Sequence, residues 1–246
     1  MRTLVKKILL SRGMVVSRPP GQFDVLSVKL ERAKARGLRI GCAVDGGAAD
    51  GGWTEKFKEV FPDATVVCVE PRADAQPALR EVARRLPGVH VAQTLLGPSE
   101  GSTEFHDHGH QSSTLPNSRG LAFGKTVTLP MTTLDALIAK LKLPWPDLIK
   151  LDLQGFELDA LRGAGECMKH ASALLVEIGF FQFQKGAPIA GDVVCFLRDH
   201  GYRMYDVAAL WHRPLDGALA QGDFLFLRDG HPLVADNRWS ADSEFS

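Results

Sequence analysis

The fold of this chain is decided by the stretch Val44-Asp45-Gly46-Gly47-Ala48-Ala49-Asp50-Gly51. The stretch follows an apolar run, 40–44, that predicts a buried strand, and it precedes a segment, 53–60, with helical spacing of apolar residues. Glycine lets a backbone turn sharply and approach a ligand closely. Since ligands of doubly wound sheets lie beyond the carboxyl ends of the strands, the stretch predicts a ligand-binding turn between a first strand and a first helix.

The alternation of strand and helix continues beyond this turn. Further strands are predicted at 65–69, 89–94, 147–153, 173–178, 202–207 and 224–227, and further helices at 75–86, 133–141, 156–168 and 191–200. Alternating strands and helices are typical of a parallel sheet covered on both faces. The last two strands have no helix between them and are expected to be antiparallel. The prediction is an α/β fold with a doubly wound, mostly parallel sheet of seven strands.

Three segments fall outside this alternation. Residues 1–37 are predicted to be a helical N-terminal extension, with a break at 18–21 and a helix over 24–36. Residues 38–228 would form the domain itself, and the stretch 97–130, rich in Ser, Gly, Thr and His, would be an insertion or lid within it, with short strands expected near 103–105 and over 125–129. Residues 229–246 are predicted to be a polar tail.

Composition excludes several classes of protein. The 246 residues carry 29 basic and 29 acidic side chains, so a broad basic field is absent and no nucleic-acid partner is expected. No segment approaches the roughly 20 apolar residues of a membrane helix, and Lys6 and Lys7 interrupt the apolar start that a signal peptide would need. The four cysteines are widely spaced, which is typical of reduced thiols in a cytoplasmic protein.

The charge next to the glycine turn indicates the kind of cofactor. The turn fits neither the GxGxxG dinucleotide pattern nor a GxxxxGK[ST] phosphate loop. Asp45 would repel phosphates but suits a cationic cofactor, and S-adenosylmethionine carries an ammonium and a sulfonium. Glu70 ends the second strand, where a carboxylate can accept both ribose hydroxyls. Because NAD sites use the same feature, Glu70 alone does not separate the two cofactors, and an NAD-dependent oxidoreductase stays the alternative.

Several motifs in order resemble the FkbM-type methyltransferases over roughly residues 40–228. The family's Asp-x-Gly-Ala-Asn-x-Gly is matched by 45–51, and its strand-ending Glu-Pro by Glu70-Pro71. Its Ser-Ser-Leu-like loop is matched by 112–115, its Thr-Leu-Asp by 133–135, and its Ile-Lys-x-Asp-x-Glu-Gly-x-Glu motif by 149–157, the strongest match. This chain departs from the family at Ala49, where Asn is usual, and at Gln154, where Glu is usual.

The resemblance implies a Rossmann-like class I fold, S-adenosylmethionine as cofactor, and methylation of a hydroxyl on a sugar, glycan or natural-product acceptor. It also implies the cofactor-binding residues, which are Asp45, Gly47, Ala48, Gly51, Glu70, Pro71, Ser113 and Asp152. A non-catalytic binding module that keeps the fold is a further alternative, because fold alone does not prove activity. A homo-oligomer is left open.

Three residues near the fourth strand are the candidate catalytic groups. A hydroxyl is a poor nucleophile until a base takes its proton, and Asp152, at the end of this strand, is the predicted base. Lys150 lies on the same strand face and could orient Asp152 or the acceptor oxygen. Glu157 falls in the first turn of the next helix, where the helix dipole favours a carboxylate in any case. Glu177 could line the acceptor pocket or bond to the backbone.

No metal is assigned to the site. The run His106-Asp107-His108-Gly109-His110 could present three histidines for a metal if it were extended, but its polar, glycine-containing setting favours a loop near the acceptor. A magnesium ion held by Asp152 and a neighbouring carboxylate is the other alternative, and Gln154 in place of Glu weakens it.

Overall fold

The computed structural model describes residues 22–109, 112–118 and 124–236. Residues 1–21 of the predicted extension, 237–246 of the predicted tail and His110 lie outside the described residues. The predicted division into extension, domain and tail therefore stays a prediction. In chain order, the first half contains α1 (Gln22–Ala35), β1 (Cys42–Gly46), α2 (Gly52–Val60), β2 (Thr65–Val69), α3 (Gln76–Arg85), β3 (Val89–Ala92), β4 (Leu95–Leu96) and β5 (Gly101–Asp107).

The second half repeats the alternation and ends in two long strands. It contains β6 (Lys125–Thr132), α4 (Leu134–Leu141), β7 (Leu148–Leu151), α5 (Glu157–Arg162), α6 (Gly165–His170), β8 (Ala173–Gly179), α7 (Ala190–Asp199), β9 (Tyr202–His212), β10 (Leu219–Arg228) and α8 (Pro232–Ala235). Within these described ranges, no helix is long and apolar enough to cross a membrane.

A seven-stranded sheet with the order β3-β2-β1-β7-β8-β10-β9 forms the centre of the fold. The first five of these strands are parallel, and β10 is antiparallel to both β8 and β9. The predicted fold class is confirmed, including the antiparallel final pair. Strand order reverses at β1, which has β2 on one side and β7 on the other, so the turn after β1 lies at the switch point where such sheets bind ligands.

Both faces of the sheet are buried, which is why its central strands read as continuous apolar runs. All five residues of β1 are buried, and alternate side chains enter different cores. Val44 packs in the core that contains Ile149 and Tyr202, whereas Ala43 packs in the core that contains Phe57. Helix α2 contributes Trp53, Phe57 and Val60 to burial at helical spacing.

A second sheet, with the order β4-β6-β5, occupies much of the predicted insertion. Strands β5 and β6 are antiparallel, and β4 runs parallel to β6. The predicted strand over 89–94 is therefore shorter than expected, because the chain leaves the main sheet after Ala92 and Leu95–Leu96 pair elsewhere. Buried Leu95 and Leu96 are held by this second sheet beside the end of β1.

Other predicted bounds also shift. Strands β9 and β10 extend further than expected, because a turn closed by Arg213 and Asp216 joins them into one long hairpin. The predicted helix over 156–168 is divided into α5 and α6. The division falls at Gly163, where any side chain would collide with the carbonyl oxygen of Gly97.

Candidate active site

A cleft opens at the carboxyl ends of β1, β2 and β7. It contains about 750 Å³ of empty space, part of it open to solvent. Its walls come from the glycine turn after β1, the segment after β2, the small sheet and the segment after β7. Polar and loop residues on these walls include Gly47, Ala49, Glu70, Thr114, Asp152 and Gln154.

The glycine turn is wedged between two neighbouring strand ends. The backbone N–H groups of Gly47 and Ala48 both donate to the carbonyl oxygen of Val69, at 2.9 and 3.1 Å. Gly47 has a φ of 73°, and a Cβ there would collide with the carbonyl oxygen of Asp152. Glycine adopts this positive φ without strain and has no Cβ to collide with that oxygen. Gly47 therefore allows the turn to lie close against the segment after β7.

Asp45 and Lys150 pair with each other behind the turn. They are direct neighbours across β1 and β7, and Lys150 Nζ lies 3.0 Å from Asp45 Oδ1. Asp45 is fully buried and its Oδ2 accepts a hydrogen bond from Thr54 Oγ1 at 2.7 Å. Lys150 Nζ also donates to the carbonyl oxygens of Gly46 and Gly47, at 3.2 and 2.8 Å. The ammonium group therefore supports the turn from beneath.

The ion pair keeps Lys150 charged although it is buried. Burial works against the ammonium form, but the carboxylates of Asp45 and Asp152 outweigh it and raise the pKa of Lys150 above its usual value. Neither Asp45 nor Lys150 is among the described residues that line the cleft. The structure thus places both of these predicted site residues one layer behind the surface a cofactor would touch.

Glu70 faces the cleft and also organises its wall. Its Oε2 accepts the backbone N–H of Ala49 at 2.9 Å. Its Oε1 accepts both the backbone N–H and the Nε of Arg72, at 3.1 and 3.2 Å. The side chain is 5% exposed, and Pro71 lies beside it in the lining. Glu70 therefore ties the glycine turn to the end of β2 while it presents a carboxylate to the cleft.

The turn after β7 places Asp152 on the cleft wall. Glu157 stabilises this turn, because its carboxylate accepts the backbone N–H of Leu153 at 2.7 Å and that of Gly155 at 3.1 Å. Burial raises the pKa of Glu157 to about 7, partly offset by these backbone bonds, and nearby Asp152 raises it further. Glu157 borders a small inner cavity rather than the cleft. Its described contacts are those of a residue that shapes the turn.

The 112–115 loop closes the far side of the cleft. Ser113 is buried, its Oγ donates to the carbonyl oxygen of Gln154 at 2.9 Å, and it accepts the N–H of Leu115 at 3.0 Å. Its neighbours Ser112 and Thr114 line the cleft, whereas Ser113 does not. Thr114 Oγ1 is buried and has no hydrogen-bond partner among the described residues, which is the condition of a group that awaits a ligand.

The structure thus divides the predicted site residues into three groups. Gly47, Glu70, Pro71 and Asp152 share the cleft lining. Five others are absent from the described cleft lining and lie in or next to the segments that form it: Asp45, Ala48, Gly51, Lys150 and Glu157. Ser113 borders a neighbouring groove. Sequence reasoning missed Arg72 and Thr114 as lining residues, although each directly follows a matched motif residue, Pro71 and Ser113.

This groove lies between the 113–118 loop and the hairpin of β9 and β10. It is lined by aromatic and uncharged polar side chains together with Arg213, and it shares with the cleft one described lining residue, Gln154. The Arg213 guanidinium stacks over Phe181 at 3.8 Å and pairs with Asp216. Trp211, Gln184 and Gln221 complete a half-exposed wall suited to a polar molecule with an apolar face.

The histidine run does not assemble a metal centre in the part of the chain that is described. His106 Nδ1 lies 3.0 Å from Thr126 Oγ1 on the adjacent strand, and His108 borders the groove. Among the described residues, no group of three or more His, Cys, Asp or Glu side chains is arranged to hold a metal ion.

Solved structures that are similar to this chain share its fold. Magnesium protoporphyrin IX methyltransferase from Synechocystis PCC 6803, with bound S-adenosylmethionine, aligns at a TM-score of 0.50 and 11% identity, over 93% of this chain and 97% of that one. A precorrin-6y C5,15-methyltransferase from Geobacter metallireducens aligns at 0.48 and 12% identity, over 87% and 93% of the two chains. At such identities the likeness concerns the fold alone.

Sequence comparison is more specific. No curated protein sequence matches this chain significantly. The model of the FkbM methyltransferase domain, however, matches residues 45–204, from the glycine turn through the end of α7 into β9. That span includes every lining residue of the cleft described above. The chain belongs to the FkbM methyltransferase family.

Proposed function

We propose that this methyltransferase takes its methyl group from S-adenosylmethionine in the cleft and transfers it to a hydroxyl of a sugar, glycan or natural-product acceptor. The observation that carries the proposal is the position of Asp152. Asp152 lines the cleft next to the glycine turn, and its carboxylate accepts a hydrogen bond from Gln154, the residue at which the cleft meets the groove. A base at that junction can reach a hydroxyl that enters from the groove.

The cleft fits the cofactor's polar groups. Glu70 and Thr114 offer a carboxylate and, among the described residues, an unpartnered hydroxyl on its walls. Oε2 of Glu70 accepts one bond and keeps a lone pair for a ribose hydroxyl. The charge of Asp45 is matched by Lys150. We therefore propose that Asp45 supports the glycine turn together with Lys150, and that it does not itself attract the cationic cofactor, the role that the sequence analysis had given it.

Each side chain then has a part in the transfer. S-adenosylmethionine, when bound, supplies an electrophilic methyl group. Asp152 accepts the proton of the acceptor hydroxyl as the oxygen attacks, a contribution of about 10²–10⁴-fold for a positioned base. Lys150 and Glu70 hold the glycine turn, and the groove wall with Trp211 orients the acceptor. Such alignment can lower a barrier by about 7–11 kcal/mol.

The experiment compares binding and turnover in one pair of variants. Asp152→Asn should leave S-adenosylmethionine affinity, measured by calorimetry, within a few-fold of wild type. Its formation of S-adenosylhomocysteine with a panel of hydroxylated acceptors should fall by about 10²–10⁴-fold. Asp159→Asn is the matched control, since Asp159 pairs with Arg162 on the outer side of α5. Equal turnover in the two variants would show that Asp152 is not the base.

A cofactor titration tests the first half of the proposal by itself. S-adenosylmethionine and S-adenosylhomocysteine should both bind, and NAD should not. Binding of NAD alone would replace the proposal with the oxidoreductase alternative. Cofactor binding without any S-adenosylhomocysteine formation across the acceptor panel would favour a binding module that has kept the fold.

A further inference from the structure

We propose that Gln154 is a positioning residue that holds Asp152 ionised and aimed into the cleft by tying it to Glu177, an inference that rests on the proposed function. Gln154 stands where the family motif has a carboxylate. It is also the one described residue that lines the cleft, the groove and the small inner cavity together. Gln154 therefore lies where the groove meets the cleft.

A single amide nitrogen makes the connection. Gln154 Nε2 donates to Asp152 Oδ1 at 2.9 Å and to Glu177 Oε2 at 2.8 Å. An amide NH₂ has two hydrogens, so both are used. The other oxygen of Glu177 accepts a bond from Gln221 Nε2. Asp152 Oδ1 is therefore held by the same amide group that holds Glu177.

The backbone around Gln154 is held in an unusual conformation. Gln154 has a φ of 52° and Gly155 a φ of 97°, and a left-handed conformation in a residue other than glycine costs about 1–3 kcal/mol. The Ser113 hydroxyl on the carbonyl of Gln154 and the Glu157 carboxylate on the N–H of Gly155 keep it in place. The fold therefore holds the backbone from which the Gln154 side chain extends toward Asp152 and Glu177.

Several charged groups surround the bridge that Gln154 makes between Asp152 and Glu177. Acidic groups face it from three elements, namely Glu157 on α5, Glu177 on β8 and Asp223 on β10. Lys150 on β7 is the nearby cation and is shared with Asp45 on β1. Burial, with Asp152 and Glu157 close by, raises the pKa of Glu177 well above its usual value. Glu177 therefore tends to hold a proton.

A carboxylate at position 154 would reverse this arrangement. It would donate nothing to Asp152 and would add a like charge beside two acids, so a proton would be retained at the site to a higher pH. Methionine at this position has a similar length but neither donor nor charge. The two changes therefore separate loss of the hydrogen bonds from gain of a charge.

The test is the pH profile of turnover in Gln154→Met, Gln154→Glu and a charge control. In both Gln154 variants the acid limb of the profile should move to higher pH. In Gln154→Met the shift should be about one to two pH units, because the free energy of a hydrogen bond to a charged group corresponds to a pKa change of that size. It should move at least as far in Gln154→Glu. The control, Gln182→Glu, adds the same charge at an exposed amide that bonds to the carbonyl of Ala187, and its limb should stay in place.

The outcomes distinguish a positioning role of Gln154 from a purely structural one. Turnover of the Gln154 variants should return toward wild type above the shifted limb, with S-adenosylmethionine affinity within a few-fold at each pH. An equal loss at every pH, an unmoved limb, or the same shift in Gln182→Glu would overturn the proposal.

A second measurement does not depend on finding an acceptor. Side-chain carboxyl carbons labelled with ¹³C can be titrated by NMR in wild type and Gln154→Met, with Asp152→Asn to assign the Asp152 signal. The Asp152 carboxyl should take up its proton at higher pH in Gln154→Met. An identical titration in the two proteins would overturn the inference about Gln154. A failure of wild type to methylate any hydroxyl would count against the proposed function alone.

Discussion

Removal of the buried ammonium group of Lys150 is the sharpest test of how the site is built. Lys150→Met keeps the length of the side chain and deletes its charge. Asp45, fully buried, then loses its counter-ion and keeps only the bond from Thr54. The carbonyl oxygens of Gly46 and Gly47 lose their shared donor at the same time.

The expected cost follows from this burial. Breaking a buried ion pair by removing one partner destabilises a protein by about 3–5 kcal/mol, because the remaining charge stays desolvated. The free energy of unfolding of a domain is typically about 5–15 kcal/mol, so the variant should still fold but with a small remaining stability. Replacing both charges removes the uncompensated carboxylate, so Asp45→Asn/Lys150→Met should recover about 2 kcal/mol or more relative to Lys150→Met.

Urea unfolding followed by circular dichroism measures the stability of wild type, Lys150→Met, Asp45→Asn and the double variant. Lys169→Met is the matched control, because Lys169 makes an ion pair with Glu166 at 2.6 Å on an exposed helix surface, and its midpoint should stay near wild type. Calorimetry should also show weaker S-adenosylmethionine binding in Lys150→Met, since the turn has lost its support. A loss below about 1 kcal/mol, or a double variant no more stable than Lys150→Met, would refute the reasoning.

Two further predictions concern the turns on either side of the cleft. Burial raises the pKa of Glu157 to about 7, so the folded chain retains a proton that the unfolded chain loses, and wild type should lose stability relative to Glu157→Gln as pH rises from about 4.5 to 7. Urea midpoints at the two pH values check this, and a constant difference would contradict it. Gly47→Ala should abolish S-adenosylmethionine binding, since its Cβ meets the Asp152 carbonyl, whereas Gly201→Ala, at a φ of 78° with open space around it, should cost about 1–2 kcal/mol and leave binding intact. Equal cofactor affinities in the two alanine variants would show that the clash is not the cause.

The main sheet was predictable because its signals are local. The apolar runs at 65–69 and 173–178 mark buried strands on their own, and a parallel sheet necessarily gathers its carboxyl ends on one edge. That argument predicts that Glu70 and Asp152 lie on the same edge of the sheet, and both line the cleft. It depends on no knowledge of which side chains meet across the strands.

What the sequence concealed depends on register and on weak patterns. Asp45 was expected to face a cationic cofactor, but its neighbour across the sheet is Lys150, and no local pattern reveals that alignment. The second sheet was predicted only in part, as short strands near 103–105 and over 125–129. Its strands β5 and β6 contain one buried residue, Phe105, so no buried apolar run marks where these strands begin and end.

The support of the glycine turn by Lys150 has a consequence for the order in which the protein is made. The two partners are 104 residues apart along the chain, which corresponds to roughly 5–20 seconds of translation at about 5–20 residues per second. Throughout that interval a nascent chain carries the turn without the ammonium group that holds its carbonyls, and Asp45 has no counter-ion to be buried with. The binding loop is therefore encoded early but completed late, and its assembly must wait until the central strand β7 has left the ribosome.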